Sequence, residues 1–106
     1  MLAREWRMRD GADFARTIRR GSKRVTPTLV IHTLPDEPTR VGFVVSKAVG
    51  NAVTRNRVKR QLRHAMQKFA HSMSVGHVVV RALPAAAGRS SADLSADLER
   101  ALGPAR

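Results

Sequence analysis

The sequence has 106 residues, a length typical of one compact domain, so we expect a single domain over residues 1–106. Lysine and arginine total 20 against 8 acidic residues, and the net charge of +12 indicates a polyanionic partner. The lack of cysteine excludes disulfides and thiolate metal sites. No apolar run approaches the ~20 residues of a membrane span, and the charged residues 1–9 are unlike a signal peptide. We therefore expect a cytoplasmic protein without a membrane partner.

The first predicted element is a short helix between Asp10 and Gly21. Asp10 can cap its N-terminus, Asp13 places negative charge in its first turn, and Gly21 can end it. Phe14 and Ile18 are four positions apart and therefore lie on the same side. The pattern predicts a helix with one apolar stripe.

Two strands are predicted next, over residues 28–34 and 41–47. Both are rich in β-branched residues, and prolines flank the first. A turn at residues 36–37 separates them, so we expect a hairpin.

Side chains alternate between the two faces of a strand. In the first strand, Leu29 and Ile31 are therefore predicted to face the core. Val30 and His32 would share the opposite face, which the apolar stripe of the first helix could overhang.

A long amphipathic helix is predicted from about residue 52 to residue 70. At ~100° per residue, its apolar side chains fall on one side. These are Val58, Leu62, Ala65, Met66 and Phe69. The opposite side comprises Arg57, Lys59, Arg60, Arg63, His64, Gln67 and Lys68.

A third strand and a final helix complete the prediction. The strand covers residues 77–81. Ser90 and Asp93 are spaced as in a capping box at the start of the helix, and the Gly-Pro pair at residues 103–104 would end it. The element order α-β-β-α-β-α predicts an α+β fold, a two-layer α/β sandwich with helices packed on a small mixed sheet.

The basic side of the long helix belongs to a stretch without acidic residues. Solvated helix faces usually interleave glutamate with lysine, whereas residues 46–68 contain only cations. Repulsion among so many like charges indicates binding to a nucleic-acid phosphate backbone. The cations are Lys47, Arg55, Arg57, Lys59, Arg60, Arg63 and Lys68.

The sequence offers no catalytic constellation. No acidic residue occurs between Glu37 and Asp93, which leaves the basic centre without an acid/base pair or a metal cage. The four histidines lack the spacing of a zinc site. We expect neither nuclease activity from the chain alone nor a cofactor bound by its own side chains.

One segment of about twenty residues carries a specific motif. It contains Ser46-Lys47, Gly50-Asn51-Ala52-Val53, Arg55-Asn56-Arg57 and Lys59-Arg60. In order and spacing this motif resembles the protein subunit of bacterial ribonuclease P. Further similarity is found at Arg7-Met8, Asp13-Phe14, Gly21, Val41-Gly42 and Pro84.

The resemblance implies an RNA-binding subunit of a ribonucleoprotein. A large catalytic RNA would use Mg²⁺ to remove the 5′ leader from precursor transfer RNA, and the protein would assist it. The partners would be the catalytic RNA and precursor transfer RNA, with no obligate protein partner. The resemblance also implies a left-handed βαβ crossover through the long helix, although right-handed crossovers are the general rule.

Carried over position by position, the resemblance assigns two sets of RNA-binding residues. The set facing the catalytic RNA comprises Lys47, Asn51, Arg55, Asn56, Arg57, Lys59, Arg60 and Arg63. The set lining a leader cleft between the first helix and the sheet comprises Phe14, Arg16, Ile18, Val30, His32, Val44 and Ser46. The family often has an aromatic residue where Ile18 stands and a tyrosine where His32 stands.

Two other functions fit the charge and the size. A small ribosomal protein of similar architecture would need the same basic surface, and only the segment of residues 46–63 separates it from the first interpretation. A DNA-binding module could place the basic helix in a major groove, but the sequence lacks a dimer seam. Copurification of one long RNA, of ribosomal RNA or of duplex DNA would discriminate among the three.

Overall fold

In the computed structural model of the protein, residues 7–35, 39–70 and 76–102 are described. Within these ranges the chain forms three α-helices and four β-strands, which confirms the predicted α+β class. In order they are α1 (Gly11–Arg20), β1 (Ser22–Val25), β2 (Leu29–Leu34), β3 (Arg40–Val44), α2 (Ala52–Ala70), β4 (His77–Ala82) and α3 (Ser91–Leu102). The turn predicted at residues 36–37 and the helix end predicted at residues 103–104 lie outside the described residues.

The four strands form one sheet in the order β1-β2-β4-β3. Strands β3 and β4 are parallel, and the other neighbours are antiparallel. The predicted hairpin between β2 and β3 was wrong, because β4 lies between them and β2 forms its hairpin with β1 instead. The sequence of β1, Ser-Lys-Arg-Val, is exposed at every position, so it offers no apolar alternation from which a strand could be predicted.

A parallel βαβ unit runs through β3, α2 and β4, in agreement with the crossover that the resemblance implies. Its handedness stays a prediction. The turn into α2 depends on Gly50 and Asn51. Gly50 has a φ of 155°, and a Cβ on it would lie 3.0 Å from Cγ2 of Thr54. Asn51 caps α2, since its Oδ1 accepts the Thr54 N–H at 2.9 Å.

One face of the sheet, the core face, is closed by α2 and α3. Leu29 and Ile31 lie in its buried cluster, as predicted. The helices contribute Val58, Leu62, Ala65, Met66, Phe69, Leu94, Leu98 and Ala101. A buried polar contact fixes α3 in place, because the Thr28 hydroxyl donates to the Asp97 carboxylate at 2.6 Å. The core therefore holds α2 with its apolar side inward and its basic side outward.

The opposite face of the sheet, the α1 face, is covered only in part. Helix α1 packs against β2 and β4. Its N-terminus is capped as predicted, with the Asp10 side chain accepting the Ala12 N–H at 2.9 Å. Gly21 follows its last residue, and the Gly21 N–H donates to the Thr17 carbonyl. Ten residues of helix cannot cover four strands, so part of this face stays open.

Helix α3 begins at the predicted place. The Ser90 hydroxyl accepts the Asp93 N–H at 3.1 Å, which is the serine half of the expected capping box. None of the helices in the described ranges has the length and apolar character that a bilayer span requires.

Candidate RNA interface

The solvent side of α2 carries the first candidate surface. Arg57, Arg60, His64 and Lys68 are exposed, and Lys59 and Arg63 are half-buried. No acidic residue occurs anywhere in α2. These side chains therefore present positive charge to solvent without the carboxylates that would neutralise it.

The structure divides the α2 cations between two flanks. Arg57, Arg60 and His64 line a groove of about 170 Å³ beside Ser91, the first residue of α3. Lys59 and Arg63 line a different groove, at the β3 edge of the sheet. The set predicted to face the catalytic RNA thus forms two neighbouring basic surfaces rather than one.

The remaining members of that set surround the turn into α2. Lys47 and Asn56 are exposed, as is Ser46 of the leader set. Arg55 is half-buried, and its Nε has no hydrogen-bond partner among the described residues. Asn51 is exposed, but its side-chain oxygen is engaged in capping α2.

The strand register creates the second candidate surface, on the α1 face. Val25, Val30, Arg81 and Val44 are neighbours across the four strands and form one row. Val25 is 64% exposed, Val30 and Val44 are half-buried, and Arg81 is exposed. We call this row the open row. Ile18, on α1, is also 41% exposed.

The adjacent row comprises Lys23, His32, Val79 and Gly42. Its three members in β2, β4 and β3 are buried, and we call these three the covered row. His32 is only 6% exposed and Val79 is fully buried. Of the predicted leader residues, Val30 and Val44 therefore lie in the open row, whereas His32 lies in the covered row.

Two further predicted leader residues make contacts within the fold. The Arg16 guanidinium lies 3.4 Å from the Asp13 carboxylate and 3.4 Å from Nδ1 of His77. The Phe14 ring lies over Gly42, where a Cβ would collide with ring carbons. Both side chains thus help to attach α1 to the sheet, besides any contact with RNA.

Sequence reasoning missed two members of the open row. Arg81 was counted among the cations but not placed in a site, because its position between Val30 and Val44 depends on the strand order. Val25 was missed because the sequence analysis predicted no strand over the residues of β1. Arg19 and Arg20 are exposed on α1, where they line a groove together with Arg16.

His32 has an altered protonation equilibrium. Burial, together with the positive charges of Lys23 and Arg81, lowers the pKa of His32 below its ordinary 6.5. Its Nδ1 is buried and has no hydrogen-bond partner among the described residues. The imidazole is therefore neutral at pH 7, and it adds no charge to this face.

The described ranges contain no group of three or more His, Asp or Glu side chains that could hold a metal ion. The two candidate surfaces expose cations and, on the α1 face, apolar side chains.

Comparison with known proteins identifies the family. A family model described as Ribonuclease P matches residues 2–106. The ribonuclease P protein component of a Nocardioides species is 54% identical over 108 residues, covering 96% of this chain and 92% of the relative. That of Streptomyces avermitilis is 48% identical over 114 residues, covering 96% and 93%. The structure of Staphylococcus aureus RNase P protein has 28% identity and a TM-score of 0.79, covering 92% of each chain.

These matches run over nearly the whole chain and do not favour the ribosomal or DNA-binding alternatives. The chain belongs to the ribonuclease P protein family, whose members are protein components that work with the ribonuclease P RNA.

Proposed function

We propose that this chain binds two RNAs through different parts of its surface. The catalytic RNA binds to the outer side of α2 and to the turn that precedes it. The 5′ leader of precursor transfer RNA binds along the open row, beside the exposed Ile18 of α1. The chain thereby assists removal of the leader, while the RNA subunit carries out the chemistry with Mg²⁺.

The observation that carries the proposal is the one-sided charge of α2. Its apolar side is buried against the sheet, and its outer side carries arginines and lysines without a single carboxylate. A folded helix tolerates such repulsion more readily when a polyanion neutralises it. Phosphate groups of a structured RNA supply that charge and release counterions on binding.

The open row supports the proposed leader site. It combines valine side chains with the Arg81 guanidinium on an exposed part of the sheet. Single-stranded nucleic acid is usually bound by a positively charged groove that follows its backbone, and Arg81 supplies charge of that kind here. Lys47 and Ser46, exposed just after β3, extend this surface towards α2.

The proposal assigns no catalytic group and no bound cofactor to the protein. Mg²⁺ belongs to the RNA subunit, and no other protein is required for the assembly. The expected location is the cytoplasm, where precursor transfer RNA is processed in bacteria.

Reconstitution tests the proposed function. The chain, a bacterial ribonuclease P RNA and a precursor transfer RNA are mixed at low Mg²⁺, and release of the leader is followed on a gel. We expect release of the leader when the protein, the RNA subunit and precursor transfer RNA are all present. Precursor transfer RNA mixed with the protein alone, or with the RNA subunit alone, should stay uncleaved. Cleavage by protein freed of all RNA, or RNA cleavage that the protein does not stimulate, would contradict the proposal.

A further inference from the structure

The outer edge of β1 is a part of the molecule that the two proposed RNA surfaces leave largely unused. Strand β1 is the last strand of the sheet on its side, and among the described residues it pairs with β2 alone. All four of its residues are exposed. An exposed edge strand offers its backbone N–H and C=O groups to a further strand. The outer side of β1 is therefore open to β-sheet pairing.

The register of the β1–β2 hairpin shows which backbone groups point outward. The Thr26 N–H donates to the Leu29 carbonyl at 2.8 Å, and this pair continues the register of the two strands. Opposed residues of antiparallel strands alternate between hydrogen-bonded and non-hydrogen-bonded pairs. The next pair, Val25 with Val30, is therefore of the second kind, as is the pair that contains Lys23. The N–H and C=O groups of Val25 and Lys23 thus point away from β2.

This edge is suited to a polypeptide. Along it, the N–H donors of Lys23 and Val25 alternate with their C=O acceptors. An extended peptide offers donors and acceptors at the matching spacing, which is the basis of recognition by strand addition. The oxygens of a phosphate backbone can only accept hydrogen bonds, so they would leave the outward carbonyls without donors.

A groove beside this edge adds a charge preference. We call it the β1 groove. Its volume is about 290 Å³, and its charged lining residues are Arg24 of β1 and Arg100 of α3. Arg24 lies opposite Ile31, so its side chain is on the core face, the side on which α3 packs. Both arginines are exposed. The β1 groove therefore attracts a carboxylate, with which guanidinium groups form their strongest hydrogen bonds.

The other lining residues carry no charge. They are Val25, Thr26, Pro27 and Ala101. Arg100 already contacts the Asp97 carboxylate at 3.3 Å through Nη1. A guanidinium group has five N–H donors, so this contact leaves others for a second carboxylate.

The same cations disfavour a second copy of this chain at the β1 edge. Two antiparallel β1 strands that match the outward groups of Lys23 with those of Val25 would place the two copies of Arg24 directly opposite each other. Like charges in that position are destabilising, and cations on edge strands commonly prevent self-association. An acidic strand would replace this repulsion with attraction.

We propose that the β1 edge binds an extended acidic segment of another protein. The segment adds a strand to the sheet through the backbone of Lys23 and Val25. One of its carboxylates enters the β1 groove between Arg24 and Arg100. This contact goes beyond the proposed function, which does not depend on it.

A synthetic peptide of four Val-Glu repeats tests the proposal on the full chain labelled with ¹⁵N. Nuclear magnetic resonance follows hydrogen exchange of the backbone amides with and without saturating peptide. The outward amides of Lys23 and Val25 should exchange at least about tenfold more slowly when the peptide is bound, because each gains a hydrogen bond. Absence of binding, or binding without protection of these two amides, would overturn the proposal.

The same amides report on other occupants of the edge. In separate samples, a uridine dodecamer replaces the peptide, or the concentration of the chain itself is raised. Neither change should slow exchange at Lys23 and Val25. Protection by the dodecamer would assign the edge to RNA, and protection at high concentration would assign it to a second copy. Either result would refute an acidic peptide as the occupant.

Two N-methylated peptides separate strand addition from simple attraction between opposite charges. One is methylated at every Val and the other at every Glu, so both keep all their carboxylates. Only alternate residues of an added strand form hydrogen bonds with the sheet. One of the two peptides should therefore bind at least about tenfold more weakly than the other. Equal affinities would mean that no strand is added.

A matched pair of variants tests the β1 groove. Arg24→Ala removes a cation from it, whereas Arg19→Ala removes an exposed cation from α1. Arg24→Ala should lower affinity for the Val-Glu peptide by about fivefold, the loss expected for one exposed ion pair, and Arg19→Ala should leave it unchanged. Equal affinities of the two variants would show that no carboxylate is bound in the β1 groove.

Discussion

The two faces of the sheet differ in how completely they are covered. On the core face, α2 and α3 bury a continuous set of aliphatic side chains. On the α1 face, one helix of ten residues covers the covered row and leaves the open row accessible. Neighbouring residues of β2 therefore have different roles, since Ile31 contributes to folding while Val30 is available for binding.

This difference explains how a small chain can combine stability with an exposed surface of apolar and charged side chains. A domain of this length buries a limited fraction of its surface, so it cannot cover both faces of its sheet fully. Placing the two longer helices on one face concentrates the stabilising burial there. The other face then keeps exposed apolar and charged groups that a fully covered sheet would lose.

The largest expected effect comes from comparing two side-chain truncations, one on each face of the sheet. Leu62 of α2 is 0% exposed on the core face, and Val44 is half-buried in the open row. Leu62→Ala should lower the free energy of unfolding by about 2–5 kcal/mol, because it leaves a cavity. Val44→Ala should lower it by less than about 1 kcal/mol. Urea denaturation measures both, and equal losses would mean that the two faces contribute alike to stability.

The next test concerns the outer side of α2. Arg57→Ala and Arg60→Ala each remove an exposed cation from the groove beside α3. Each should weaken binding of the catalytic RNA and reduce the log–log salt slope by about 0.7–0.9, since one phosphate contact is lost. Filter binding over a range of salt gives the slope. Arg24→Ala serves as the control, and unchanged slopes in both α2 variants would refute the placement of the catalytic RNA.

A substitution on the α1 face should increase the affinity for precursor transfer RNA. Ile18 is partly exposed at a position where the family often has an aromatic residue, so Ile18→Phe offers a ring to a leader base. Affinity for precursor transfer RNA should rise by ~1 kcal/mol, the lower end for one stacked base. Mature transfer RNA, which lacks the leader, should bind as before. An equal gain for both RNAs would indicate a contact outside the leader.

The regular spacing of apolar residues made several elements of the fold predictable. Helix α2 was predicted over the residues that it occupies, because its apolar positions repeat with a helical period over five turns. The alternation of Leu29 and Ile31 against Val30 and His32 was likewise confirmed. These signals are local, and each depends on a burial pattern within one element.

The strand order was not predictable in this way, and it decides the composition of the candidate sites. Hydrogen bonding between β2 and β4 joins segments separated by β3 and the whole of α2, and no local pattern encodes it. Arg81 was therefore not expected between Val30 and Val44. The groove at the β3 edge of the sheet was missed for the same reason, since its residues come from the segment before α1, from α1, from β3 and from α2.

The smallest expected effect is a pH dependence of stability that originates on the α1 face. Burial, Lys23 and Arg81 lower the pKa of His32 below 6.5, so the folded protein binds fewer protons there than the unfolded chain does. The free energy of unfolding should therefore be unaffected by His32 above about pH 6.5, and it should decrease as the pH falls below that value. His32→Gln removes the titrating group but keeps a polar side chain, and the two proteins share all their other histidines. Urea denaturation between pH 7.5 and 5.5 should show the parent losing more stability than the variant on acidification. Parallel losses in the two proteins would mean that His32 is as easily protonated under α1 as in water.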